Sequence, residues 1–83
     1  MPFKVDYSAE TKATFRDLKP MEMMAARKLI GSFRHDRWLN GRPLPGLASQ
    51  GKELMELQNG PIRLVYELNR VEESLVIRAI VFD

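Results

Sequence analysis

Arg63 and Arg78 each interrupt an apolar run, Ile62-Arg63-Leu64-Val65-Tyr66 and Val76-Ile77-Arg78-Ala79-Ile80. A guanidinium held by a strand presents its donors in a fixed fork, which suits a phosphate or a carboxylate. Period-2 alternation puts Arg63 on the face opposite Ile62, Leu64 and Tyr66, away from the main core. Glu56 is the candidate proton acceptor beside it, provided both residues face one cleft. Their relative parity depends on the register of two strands, which the sequence does not fix. Glu56 and Glu67 also offer Arg63 a plainer role, as ion-pair partners on a strand face.

A second group lies earlier. Between Arg27 and Arg42 stand five basic side chains (Arg27, Lys28, Arg34, Arg37, Arg42) and His35, against one acid, Asp36. Arg34, His35, Arg37, Trp38 and Arg42 could meet phosphate or an acidic protein, with Trp38 stacking on a base or anchoring a partner. A solvated helix end accounts for the same charges, and a place at the edge of the core accounts for Trp38.

Other chemistries lack their parts. The sequence has no Gly-x-Gly-x-x-Gly, no P-loop and no nucleophile elbow. It has no cysteine, and a lone His35 builds no metal cage, so neither a disulfide nor a metal site is expected, and no cofactor is implied. The serines have no Ser-His-acid context. Glu53 and Glu56 have opposite parity on one strand, which argues against a glycosidase-type carboxylate pair.

The elements that must position these residues fit one domain, residues 1–83, of ordinary globular composition, 45% apolar and 29% charged. A domain this small has a modest core and relies on it, on a partner, or on both. No window approaches the length of a membrane span and no signal-peptide pattern is present, so a cytoplasmic protein is expected. Phe3, Val5 and Tyr7 alternate as a strand. Ser8 is placed to cap a helix from Ala9 to about Leu18. Lys19-Pro20 breaks that helix and opens a second, whose apolar residues Met21, Met24, Ala25, Leu29, Ile30 and Phe33 recur at helical steps. It is expected to end near Trp38 to Asn40, with Gly31 admitting close packing against another backbone. Residues 40–51 read as a loop with Leu44 and Leu47 turned inward. Three strands follow, Lys52–Gln58, Ile62–Leu68 and Ser74–Phe82, with Asn59-Gly60-Pro61 as the first turn. The last is apolar on both faces and so belongs inside the sheet. The order is β-α-α-β-β-β, an α+β domain with an antiparallel sheet packed against an N-terminal helical hairpin.

Leu44-Pro45-Gly46-Leu47, Glu53-Leu54-Met55-Glu56-Leu57 and Ile62-Arg63-Leu64-Val65-Tyr66-Glu67-Leu68, in this order of elements, resemble the RelE/ParE toxin superfamily. The resemblance spans nearly the whole chain and is most specific in the Arg-Leu-Val-Tyr string. It implies the toxin of a type II toxin–antitoxin pair, neutralised by a cognate antitoxin. RelE-type members cleave mRNA on the ribosome, and Arg63 matches their phosphate-binding arginine; ParE-type members keep the fold and poison DNA gyrase. Leu54 and Glu56 stand where RelE-type members often carry lysines, and Ile80-Val81-Phe82-Asp83 replaces their basic or aromatic tail. The resemblance therefore implies first a toxin acting by protein binding, as ParE does. The alternatives are a ribosome-dependent endoribonuclease with an altered site around Arg63, and a repurposed, non-toxic binding module. Enzymatic activity stays open at this level, as does the choice between a homodimer and a hetero-oligomer with the antitoxin.

Overall fold

Capping residues set the first boundaries in the computed structural model. It describes residues 3–33, 35–45 and 51–82, and the side chains of all of these but His35 and Asp36. Strand β1 (Lys4–Tyr7) leads into helix α1 (Ala9–Asp17), whose free Thr11 N–H donates to Ser8 Oγ at 3.1 Å. Lys19 is held extended before Pro20, which ends one helix and takes the first turn of α2 (Pro20–Ser32). The Lys19 N–H donates to the Glu22 carboxylate at 3.0 Å and closes the α2 N-terminus.

Helix α2 stops earlier than its periodicity predicts. Phe33 is extended, with its N–H donating to Ile30 O at 3.3 Å, and a separate short helix α3 (His35–Leu39) follows. The turn swings Trp38 onto the sheet, where it is 2% exposed and meets Phe33 and Tyr66 edge-on at 4.8 and 5.1 Å. Burying a ring of that size outweighs one turn of helix propensity, which Gly31 and Ser32 already weaken.

A two-residue strand β2 (Arg42–Pro43) and strands β3 (Glu53–Asn59), β4 (Ile62–Asn69) and β5 (Ser74–Phe82) complete a sheet of order β1-β5-β4-β3-β2. Gly60, at φ 59°, supplies the left-handed step of the β3–β4 turn. The three long strands form the expected antiparallel meander, but β1 lies parallel to β5, so the sheet is mixed. The helices carry the chain from the β1 edge to the β2 edge, and a crossover of that length permits a parallel neighbour. Strand β5 lies inside the sheet, as its two apolar faces require. Its parity resets at a bulge: Tyr66 pairs with Ile77 and Val65 with Ala79, leaving Arg78 as the extra residue. The bulge is what lets Leu75, Ile77 and Ile80 share one buried face.

That face carries the core. Met55, Leu57, Ile62, Leu64, Tyr66, Leu68, Leu75, Ile77 and Ile80 pack with Phe3, Ile30 and Trp38, and Phe15, Leu29, Phe33 and Leu39 close over them. All three helices thus cover the same side, as the α+β expectation of a helical layer on a sheet requires. Leu44 is half-buried; Leu47 lies outside the described residues. Gly31 is exposed, and a Cβ there would meet nothing within 4 Å, so it does not mediate close backbone packing.

Candidate functional site

The face without helices is centred on Val65. Its ladder partners are Glu56 on β3 and Ala79 on β5, while Arg63 and Glu67 lie two residues to either side on β4. The register that the sequence left open places Glu56 and Arg63 on this one face. Leu54, Val76 and Val81, all half-buried, complete an apolar floor beneath charged side chains.

Those charges are paired selectively. Arg42 Nη2 donates to Glu56 Oε1 at 3.0 Å, and the Glu56 side chain is only 14% exposed. Arg78 Nε stands 3.4 Å from Glu67 Oε1, and the Glu67 side chain is 5% exposed. Arg63 therefore pairs with neither of the carboxylates the sequence offered it. It is half-buried, its Nε is buried without a hydrogen-bond partner, and it has no ion pair among the described residues. A desolvated donor of this kind favours an acceptor brought by a ligand. The two carboxylates that flank Val65, Glu56 and Glu67, are already engaged by guanidinium groups, Asp6 lies on the edge strand β1 beyond β5, and an arginine stays protonated and is no base. Among the described side chains the face is thus equipped to bind an anion, and poorly equipped to move a proton.

Two of the other expected residues stand elsewhere. Trp38, expected as an anchor or stacking platform, is a core residue; its ring is enclosed by Phe33 and Tyr66 and presents no face to a partner. Arg37 is exposed on α3, on the helical side, with its guanidinium 5.5 Å over the Phe33 ring. Arg34 and the side chain of His35 lie outside the described residues. No three His, Cys, Asp or Glu side chains converge as metal ligands among the described residues.

Three features were not visible in the sequence. The first is a latch. The buried Tyr66 hydroxyl donates to Trp38 O at 2.5 Å and fixes the chain just before Arg42, and burial pushes its phenol up to about 12 against a smaller opposing pull from Arg37 and Arg70. The second is a pair of hydroxyls, Ser8 and Thr11, 2.8 Å apart beneath the β5 bulge. The third is a groove of about 580 Å³ between α1, α2 and the end of β1, floored by Tyr7, Phe15 and Ile30 and rimmed by Lys12, Arg16 and Arg27. Only Ser8 had a signal, as the cap of the first helix.

No family model matches the chain and no curated protein matches it. Solved structures do. The toxin–antitoxin complex RelBE2 from Mycobacterium tuberculosis contains a chain that superposes with a TM-score of 0.75 over 100% of both chains, at 19% identity. This chain has the RelE fold. The archaeal RelE–RelB complex from Pyrococcus horikoshii OT3 gives a TM-score of 0.65 at 15% identity, over 99% of this chain and 96% of the other. In this RelE-type fold the helical layer covers the core on one side of the sheet, and the opposite face, with Arg63 on its middle strand, carries no helix.

Proposed function

We propose that this chain is the toxin of a type II toxin–antitoxin pair, acting in the cytoplasm by binding a target protein through its open sheet face and neutralised by a cognate antitoxin. The carrying observation is a RelE fold whose open face keeps an unpaired Arg63 while Arg42 and Arg78 occupy Glu56 and Glu67. A surface of fixed arginines on an apolar floor suits an acidic protein patch, in the ParE manner. The antitoxin fits the cationic groove of the helical hairpin, where Lys12, Arg16 and Arg27 rim an apolar floor and would take an acidic amphipathic segment. Both solved relatives are complexes with an antitoxin, RelB in the archaeal case, which supports the pairing. Expression of the chain from a tight promoter, with and without a candidate small acidic antitoxin, tests the reading. Growth arrest relieved by that antitoxin supports it; no arrest and no complex refute it.

A specific observation favours a second reading. Arg63 and Glu56 share a face, so a phosphate clamped by Arg63 would lie near a carboxylate, as a ribosome-dependent endoribonuclease with an altered site needs. Its base must first leave Arg42. Primer extension on cellular mRNA separates the readings: new cleavage ends that vanish with Arg63→Ala select the nuclease.

A further inference from the structure

We propose that Thr11, with Ser8, is a positioning residue for Arg78: the two hydroxyls clamp the β5 bulge from the helical side and so hold the guanidinium over Glu67 on the open face. The consequence for activity rests on the open face being the binding surface. The positioning itself does not.

The bulge makes Arg78 the one residue of β5 without a ladder partner on β4 between Ile77 and Ala79. It has no residue opposite it in the meander, so a second constraint on its direction can come from the other side of the sheet. The α1 N-terminus supplies the fixing. Ile77 O accepts from the Ser8 N–H at 3.0 Å and from Thr11 Oγ1 at 2.7 Å, and Ser8 Oγ reaches Arg78 O at 3.5 Å. The Ser8 and Thr11 hydroxyls are 2.8 Å apart, Thr11 is fully buried, and Ser8 Oγ also caps α1. The Ile77 carbonyl that precedes the bulge is thus tied twice to one rigid helix start, and the single Ser8 hydroxyl hydrogen is shared between Thr11 Oγ1 and Arg78 O, whereas an ordinary N-cap needs only the Ser8 oxygen as acceptor. A buried threonine whose hydroxyl points out of its helix to a strand carbonyl is more than packing. On the far side of the sheet, Arg78 Nε meets a Glu67 carboxylate that has little other access to solvent.

The test compares two substitutions in the full chain. Thr11→Val keeps the shape and removes the hydroxyl; Thr11→Ser keeps the hydroxyl and removes the methyl. The readout is the Arg78 Nε–Hε resonance in a proton–nitrogen NMR spectrum, assigned by its loss in Arg78→Ala. Thr11→Val should move or broaden it toward the signal of a free guanidinium, Thr11→Ser should restore it, and the Arg63 signal should stay in place in both. An Arg78 signal unmoved in Thr11→Val, or moved equally in Thr11→Ser, overturns the proposal. Should Thr11→Val not fold, Ser8→Ala takes its place, with the same shift expected and an unmoved signal again fatal. Growth arrest on expression is read separately: Thr11→Val should match Arg78→Ala, and the double variant should add nothing. Arg78→Ala as toxic as wild type would refute the open-face reading, while the NMR comparison still decides the positioning.

Discussion

Tyr66 Oη occupies the space that a side chain on Gly41 would need. A Cβ built on Gly41 collides with that hydroxyl and comes within 3.1 Å of Glu56 O, so position 41 is confined to glycine by a residue 25 positions away in sequence. The same hydroxyl donates to Trp38 O, and Arg42 follows Gly41 directly into β2. One buried phenol therefore sets where the edge strand begins and where Arg42 meets Glu56.

Gly41→Ala should destabilise the fold by about 1–3 kcal/mol through overpacking. Tyr66→Phe alone should cost about 1–2 kcal/mol for the lost hydrogen bond and the Trp38 carbonyl left unpaired. In the double variant the clash with the hydroxyl is gone and only the 3.1–3.2 Å approaches to Glu56 O and the ring carbon remain, so the two costs should be less than additive in urea melts. Additive costs would show that the hydroxyl is not what excludes a side chain at position 41.

The same phenol gives a pH signature. Its pKa is raised by burial from an ordinary 10 to about 12. A group raised on folding contributes stability that is complete below the unfolded value and lost as pH rises through the folded one. Wild type should therefore lose on the order of 2–3 kcal/mol between about pH 10 and pH 12, and Tyr66→Phe should lack that component. At the acid end, Glu10 is lowered chiefly by a hydrogen bond from backbone and then by Ser8, so its contribution is present above the unfolded carboxyl value and fades as pH falls through the folded one.

Ion pairs on this surface should differ by burial. Glu53 and Arg70 are each about half-exposed, and Glu53→Gln should change stability by at most about 1 kcal/mol, less in high salt. Arg78→Ala leaves the Glu67 carboxylate buried without its cation, and should cost more than Glu53→Gln in the same melts. Equal effects would mean that Glu67 finds water despite its burial.

Trp38→Ala should cost about 3–5 kcal/mol, as expected for a large core ring, and should leave the open face intact in any surviving fold. A stable Trp38→Ala protein with a selective loss of partner binding would return Trp38 to the surface role that its sequence neighbours suggested.

Local signals were legible where the determinant was local. Ser8, Lys19-Pro20 and Asn59-Gly60 mark their boundaries because capping, proline sterics and left-handed glycine act over a few residues. Alternation along Ile62–Asn69 was enough to send Arg63 to the outer face. What failed depended on distant partners. Trp38 left the helical pattern because the sheet offered its ring a place; Gly31 and Ser32 weaken the helix before Phe33 but do not by themselves fix a break there. The bulge at Arg78 hides in a strand that merely looks apolar on both sides, and β1 is parallel to β5 through a pairing some 70 residues apart in sequence. That Glu56 and Arg63 share the open face needed the β3–β4 register, which only the turn and the core together decide.

The most direct measurement compares wild type with Arg63→Ala for growth arrest on expression, with melting of both purified proteins alongside. Arg63 has no ion pair or Nε hydrogen bond to lose, so the two proteins should be equally stable, and only wild type should arrest growth in a manner relieved by the antitoxin. An Arg63→Ala protein that folds as well and arrests growth as strongly would contradict the open face as the seat of activity.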